Sequence, residues 1–224
     1  MNFHVTQRIP DVENFLRYCE RLHFRPRTII FNEGDTSDSL FLILDGSVSV
    51  MVDDHEEPPQ EMVVSYLNPG DFVGEMGLFG EDHRTATLVA RTECELARIS
   101  YDRFHQVRSQ APALLYALTQ QVGHRLAVTT RKLADLAFVD VYGRIHKTLK
   151  QLTEEPDAMT HPDGMLIRIT RQELGKLVGC SREMAGRVLK PLENKGFVEV
   201  SGKTIVVLRE PKPRPNDESK ALIK

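Results

Sequence analysis

Two periodicities divide this chain. From Thr28 to about Ile99 the apolar residues come in short runs: Thr28-Ile29-Ile30-Phe31, the turn Asn32-Glu33-Gly34-Asp35, then Leu40-Phe41-Leu42-Ile43-Leu44. Val48, Val50 and Val52 alternate with Ser47, Ser49 and Met51, the period-2 pattern of a strand with one buried face. Between these runs, Asp45-Gly46 carries a two-residue hairpin signal. Short strands punctuated by Gly, Pro and Asp predict a double sheet of jelly-roll type. From Pro112 the period changes. Leu115, Leu118, Val122, Leu126, Thr129, Leu133 and Leu136 step by three or four residues. That predicts one long helix to about Leu136 with a coiled-coil-like seam. Such a stripe packs either against the roll of its own chain or against a second copy. Helical residues continue to about Leu152, and Glu154-Glu155-Pro156-Asp157 ends them.

Ile169 to Leu189 reads as two short helices joined by a tight turn. Thr170 and Glu173 form a capping box at the start of the first helix. Leu174, Leu177 and Val178 then share one face. Gly179 is a stop, and Ser181 is an N-cap for the second helix. Val188 and Leu189 supply the buried side of that helix, and Arg182, Glu183 and Arg187 its exposed side. In a helix-turn-helix, residues near the N-terminus of the second helix meet base edges in the major groove of double-stranded DNA. Arg suits guanine there, and Glu suits cytosine. The same pattern also fits a helical hairpin with a solvated charged face. Pro191 is expected to kink or end the second helix after Lys190. Phe197 to Val207 predicts a β-hairpin around Gly202. Residues 209–224 hold three prolines, many charges and few apolar residues, which predicts a disordered tail.

Gly74-Glu75-Met76-Gly77-Leu78-Phe79, followed by Arg84-Thr85, collects a carboxylate, a guanidinium and a hydroxyl around a glycine-punctuated segment. Glu75 can accept from a ribose hydroxyl, and Arg84 can offer a fork of donors to phosphate oxygens. Thr85 and nearby backbone N–H groups can complete an anion cradle. Gly74 and Gly77 permit approaches that a Cβ would forbid. A surface turn with an ordinary Glu–Arg ion pair would look the same.

The net charge is −3, but it is unevenly spread. Residues 1–139 carry 13 basic and 20 acidic side chains, net −7, and residues 140–208 carry 11 and 9, net +2. Between Met165 and Thr204 there are 8 basic and 4 acidic residues, a local +4 where the DNA reader is expected. The chain has no run of 18 apolar residues to span a membrane. Met1-Asn2-Phe3-His4 lacks the layout of a signal peptide. Cys19, Cys94 and Cys180 are widely spaced, which favours a reducing cytoplasm and disfavours structural zinc.

Taken together, these segments resemble the cyclic AMP receptor protein family, also called catabolite activator proteins. The resemblance runs from about Phe15 to Leu208. It rests on Tyr66 to Phe79, Leu136 to Val141, Asp157 to Met165, Gly179 to Glu183 and Gly202 to Val207, in that order. It looks closest to the gammaproteobacterial activators. It implies an α+β chain with a β jelly-roll cyclic-nucleotide-binding domain (1–111), a dimerisation helix and hinge (112–139), a winged helix-turn-helix (140–208) and the tail. It further implies that cyclic AMP is held by Gly74, Glu75, Met76, Arg84 and Thr85. Thr129 and Thr130 would meet the adenine, one from each subunit of a homodimer. DNA would be held by Thr170, Arg171, Gln172, Ser181, Arg182, Glu183 and Arg187. RNA polymerase would be touched through Thr160, His161, Asp163 and Gly164.

The chain departs from the family pattern in places. The spacing from Glu75 to Arg84 is one residue shorter than in the best-known members, and Thr85 replaces their Ser. The acidic flap from Val52 to Glu61 is about two residues longer. Glu20 and Leu22 stand where basic or His residues are expected in a second polymerase-contacting surface, and Arg103 alone keeps its charge.

Three function classes follow. The first is a ligand-gated transcription regulator, responding to cyclic AMP, to another cyclic nucleotide or dinucleotide, or to no ligand. The second is a cyclic-nucleotide-binding module acting through protein contacts, against which Arg182, Glu183 and Arg187 speak. The third is an enzyme, which would need metal ligands or a nucleophile–base pair. The sequence has neither a His-rich strand motif nor G-x-S-x-G.

Overall fold

The computed structural model describes residue 9 and residues 12–57, 59–110 and 112–211. The chain divides into two compact units, residues 1–130 and 131–224. Most of the tail expected to be disordered, from residue 212 on, lies outside the described residues.

The first unit is a double sheet. After helix α1 (Val12–Leu16) come β1 (Glu20–Phe24), β2 (Ile29–Phe31), β3 (Ser39–Asp45), β4 (Val48–Asp53), β5 (Glu61–Leu67) and β6 (Phe72–Val73). A 3₁₀ turn (Met76–Phe79), β7 (Thr87–Ala90), β8 (Cys94–Ser100) and helix α2 (Tyr101–Val107) follow. Two four-stranded antiparallel sheets form, in the orders β1-β8-β3-β6 and β2-β7-β4-β5. The helices α1 and α2 were not foreseen, because each is too short to show a 3.6-residue period.

The continuous apolar run of β3 has a direct cause. Leu40, Leu42 and Leu44 enter one core, with Phe15, Phe72, Ile99 and Phe104. Phe41 and Ile43 point the other way, into a second core with Val48, Leu67, Leu88 and Leu96. Both faces are buried, so neither is polar.

The hairpin expected at Asp45-Gly46 is not there. β3 pairs with β8 and β6, whereas β4 pairs with β5 and β7. The dipeptide instead carries the chain from one sheet to the other. Gly46 has φ +79°, and a Cβ on it would lie 2.1 Å from the Glu93 carbonyl oxygen. The following residue is pinned to that same turn: Ser47 N–H donates to Thr92 Oγ1 at 2.9 Å, and Arg91 N–H donates to Ser47 O at 2.8 Å. Local turn chemistry is the same in both cases, and the position of the Arg91–Cys94 turn decides between them.

Helix α3 (Pro112–Phe138) is the long helix expected. Its apolar stripe divides. Leu114, Ala117 and Leu118 are buried in the roll's core, with Leu115 packed beside them. Each leucine so buried contributes about 1.5–3 kcal/mol. Leu126, Leu133 and Leu136 remain exposed. Leu118 therefore belongs to the roll and not to an open seam.

In the second unit, helix α4 (Val141–Leu152), α5 (Arg171–Val178) and α6 (Arg182–Asn194) pack with a sheet of β9 (Met159–His161), β10 (Gly164–Arg168), β11 (Val198–Ser201) and β12 (Thr204–Leu208). The strand order is β11-β12-β10-β9. Asp140 starts α4 by accepting from Gly143 N–H at 2.8 Å. Two expectations need correction. Along α6 the buried row is Ala185, Leu189 and Leu192, while Val188 is only half-buried. Pro191 does not end the helix, which runs to Asn194. A proline forfeits one backbone bond, but the fully buried Leu192 anchors the last turn, and Lys195 N–H donates to Pro191 O at 3.0 Å.

Candidate functional site

The candidate ligand site is built on the turn after β6. Gly74 has φ +77°, and a Cβ there would lie 2.4 Å from Arg84 Nη1. A Cβ on Gly77 would lie 2.4 Å from Tyr101 Cε2. Both glycines therefore permit close approaches, each to a different side chain.

Arg84 is 5% exposed and crosses under this turn. Its Nη1 donates to Gly74 O at 3.2 Å and to Tyr101 Oη at 3.3 Å. Its Nη2 donates to Ser39 Oγ at 3.2 Å and faces Asp38 Oδ1 at 3.5 Å. The guanidinium carbon lies 4.4 Å from the centroid of the Phe31 ring, a cation–π contact. Among the described residues, Arg84 Nε has no hydrogen-bond partner although it is buried. An unmet buried donor is costly, on the order of 1–3 kcal/mol. An acceptor brought against this atom would relieve that cost.

Glu75 is 8% exposed and pairs with Arg125 of α3, Nη1 to Oε1, at 3.1 Å. Arg125 also donates through Nη2 to Phe72 O. One turn earlier, Gln121 accepts from Phe72 N–H and donates to Gly70 O, both at 2.8 Å. Helix α3 thus holds the loop carrying Glu75 by two side chains spaced four residues apart, on one helix face. Thr129 lies one turn beyond Arg125 and is exposed. Thr130 is also exposed, and its hydroxyl donates to Leu126 O at 2.8 Å within the helix. Met76 and Thr85 flank the site as exposed residues.

The structure thus brings Gly74, Glu75 and Arg84 together. Sequence reasoning missed Arg125, Tyr101, Ser39 and Asp38. The Asp38 carboxyl is held below the usual carboxylate range, first by the Ser39 hydroxyl and then by the charges of Arg98 and Arg84. Its contribution to folding is therefore present at neutral pH and lost as the pH falls through its lowered folded-state pKa.

The second unit carries the other candidate surface. Thr170 Oγ1 accepts from Glu173 N–H at 3.1 Å, and Glu173 Oε2 accepts from Thr170 N–H at 2.7 Å, so the capping box is complete. Gly179 adopts the left-handed cap at φ +67°. Ser181 Oγ accepts from Met184 N–H at 3.2 Å. A Cβ on Gly175 would lie 2.5 Å from Cys180 O, so the small residue sets how tightly the two helices join. Arg182, Glu183 and Arg187 are exposed on α6, and Arg171 and Gln172 on α5. The hydroxyls of Thr170 and Ser181 are engaged as caps. Thr160 is exposed in the β9–β10 hairpin. In the same hairpin, Asp163 N–H donates to His161 Nδ1 at 3.3 Å, and Gly164 backs directly onto β12.

A double-sheet roll with a buried arginine under a glycine turn, in one chain with a capped helix-turn-helix, is the layout of a DNA-binding regulator with a candidate ligand-binding domain. Comparison with known proteins gives the family. The model of the cyclic nucleotide-binding domain matches residues 21–111, and that of the bacterial regulatory proteins of the crp family matches residues 167–198. The cAMP-activated global transcriptional regulator Vfr of Pseudomonas aeruginosa is 48% identical over 206 residues, 90% of this chain and 95% of Vfr. The cAMP-activated global transcriptional regulator CRP of Salmonella typhimurium is 48% identical over 88% of this chain and 94% of its own length. The solved structure of the c-di-GMP responsive global regulator CLP of Xanthomonas campestris superposes with a TM-score of 0.83 at 46% identity, covering 89% of this chain and 98% of that one. The chain belongs to the CRP family of bacterial transcription regulators. It is an α+β, DNA-binding regulator with a cyclic-nucleotide-binding domain, and not an enzyme. No helix among the described residues is long and apolar enough to cross a membrane.

Proposed function

We propose that the chain is a cyclic-AMP-responsive homodimer that binds palindromic promoter sites and contacts RNA polymerase. The observation that carries the ligand reading is Arg84. It is buried and held by Gly74 O, Tyr101 and Ser39, and its Nε lacks an acceptor among the described residues. Arg84 binds the cyclic phosphate and Glu75 the ribose hydroxyl, with Gly74, Met76 and Thr85 shaping the cradle. Thr129 and Thr130 meet the base. The functional division follows as a roll to residue 111, a dimerisation helix and hinge to 139, and a winged DNA-binding domain to 208. Thr160, His161, Asp163 and Gly164 form the polymerase-facing hairpin. A second reading keeps everything except the ligand, because a relative of this similarity is a c-di-GMP responsive regulator.

Calorimetric titration with cyclic AMP, cyclic GMP and cyclic di-GMP separates the two readings. Cyclic AMP is expected to bind more tightly than the others. A response to cyclic di-GMP alone would replace the first reading with the second.

Arg182, Glu183 and Arg187 are assigned to base edges, since they lie on the exposed side of α6. Arg171 and Gln172, with Thr170 and Ser181 at the helix starts, hold phosphates and set the register. The half-sites are TGTGA-like by the family resemblance. Losing one base contact costs roughly 1–3 kcal/mol and relaxes preference at one position. Binding-site selection with Glu183→Ala should therefore give a motif degenerate at one position per half-site. An unchanged motif would remove Glu183 from the readers.

A further inference from the structure

Arg98 lies on β8, opposite Glu20 of β1 and Phe41 of β3. Its Nε donates to Ser39 Oγ at 3.3 Å, and its Nη2 donates to Asp38 Oδ2 at 3.1 Å. The same two residues serve Arg84, whose Nη2 donates to Ser39 Oγ at 3.2 Å and faces Asp38 Oδ1 at 3.5 Å. Ser39 is 1% exposed, and its own hydroxyl proton goes to Asp38 Oδ1 at 2.7 Å. Two guanidinium groups therefore share one hydroxyl and one carboxylate. Glu20, 4.0 Å from Arg98, closes the outer end.

This sharing has a consequence for Arg84. A carboxylate left alone with a guanidinium tends to a two-bond, fork-to-fork pair. Arg98 occupies one oxygen of Asp38, so Arg84 keeps a single long contact with the other. Arg98 also offsets the charge of Asp38, which would otherwise repel an incoming anion. Both effects have the same sign.

We propose that Arg98 is a positioning residue of the ligand site. Acting through Asp38 and Ser39, it holds the Arg84 guanidinium so that Nε–H stays free for the ligand's anion. The proposal rests on the reading of Arg84 as the phosphate-binding group.

Arg98→Gln tests it in three measurements on the full chain. Cyclic AMP binding by calorimetry should weaken about three- to fivefold, the scale of a partly exposed charge pair. In an Asp38→Asn background the same substitution should change binding by less than about twofold, because the shared carboxylate is gone. In the ligand-free protein, the Arg84 Nε–H resonance, assigned by its loss in Arg84→Lys, should be sharp in the parent. In Arg98→Gln it should broaden or exchange faster, with an unchanged melting temperature. An unchanged resonance in Arg98→Gln overturns the proposal whether or not cyclic AMP binds. An equal loss of affinity in both backgrounds overturns it too, because Arg98 would then act only as a general charge. If Arg84→Leu abolishes binding while Arg98→Gln leaves it intact, this proposal fails and the assignment of Arg84 stands. If the resonance responds but the parent binds no cyclic nucleotide, Arg98 does position Arg84 and the ligand reading alone fails.

Discussion

Arg84→Leu is expected to weaken cyclic AMP binding by roughly tenfold to 150-fold. The figure follows from losing one hydrogen bond to a charged group, about 1.5–3 kcal/mol. The buried Nε–H is the donor at stake. The substitution has a second effect, because Gly74 O, Tyr101 Oη and Ser39 Oγ lose a donor and Asp38 loses part of its counter-charge. The apolar leucine can still rest on Phe31, which the guanidinium now covers. Some loss of melting temperature is therefore expected alongside the loss of affinity. Arg84→Lys separates the two effects. A lysine keeps the charge, but it is a compact ammonium on a flexible stem and cannot reproduce the rigid fork. It should melt closer to the parent than Arg84→Leu does and still bind several-fold more weakly than the parent. Titration of a folded Arg84→Leu protein as tight as the parent's would take Arg84 out of the ligand site.

The parts of this molecule legible in the sequence are those decided locally. Thr170 and Glu173, three residues apart, could be read as a capping box, and both of its bonds are present. Gly179 and Ser181 ended one helix and began the next as their chemistry requires. The long helix was legible because its 3.6-residue period persists over many turns. What the sequence hid is decided between distant segments. Asp45-Gly46 has the same turn chemistry whether the chain folds back on its sheet or leaves it. Ser39, Arg98, Tyr101 and Arg125 come from four elements, and Asp38 from the residue before β3. They meet only when β3 pairs with β8 and the long helix docks, so no spacing announces them. Leu118 and Leu126 occupy the same stripe, eight residues apart. Only the roll's position buries the first and leaves the second exposed.

Leu126→Asp is expected to convert the protein from dimer to monomer. In the single chain Leu126 is 68% exposed and Leu133 is 67% exposed, with Leu136 also open. Large apolar side chains left open in this way on one helix mark an interaction surface, which the proposed homodimer covers with a second copy. Burying each would contribute about 1.5–3 kcal/mol, counted twice across a two-fold axis. An aspartate at 126 removes that gain and places an unpaired carboxylate from each copy in the interface, a cost that far exceeds the lost contact. The single-chain fold should survive, because the roll's core takes Leu114, Ala117 and Leu118 from this helix and not Leu126. Far-ultraviolet circular dichroism should therefore match the parent, while sedimentation shows half the mass. The monomer should also lose tight binding to a two-half-site operator, since each copy supplies one reading helix. Its affinity for a single half-site should change little. A Leu126→Asp protein that still sediments as a dimer would place the interface elsewhere on the molecule.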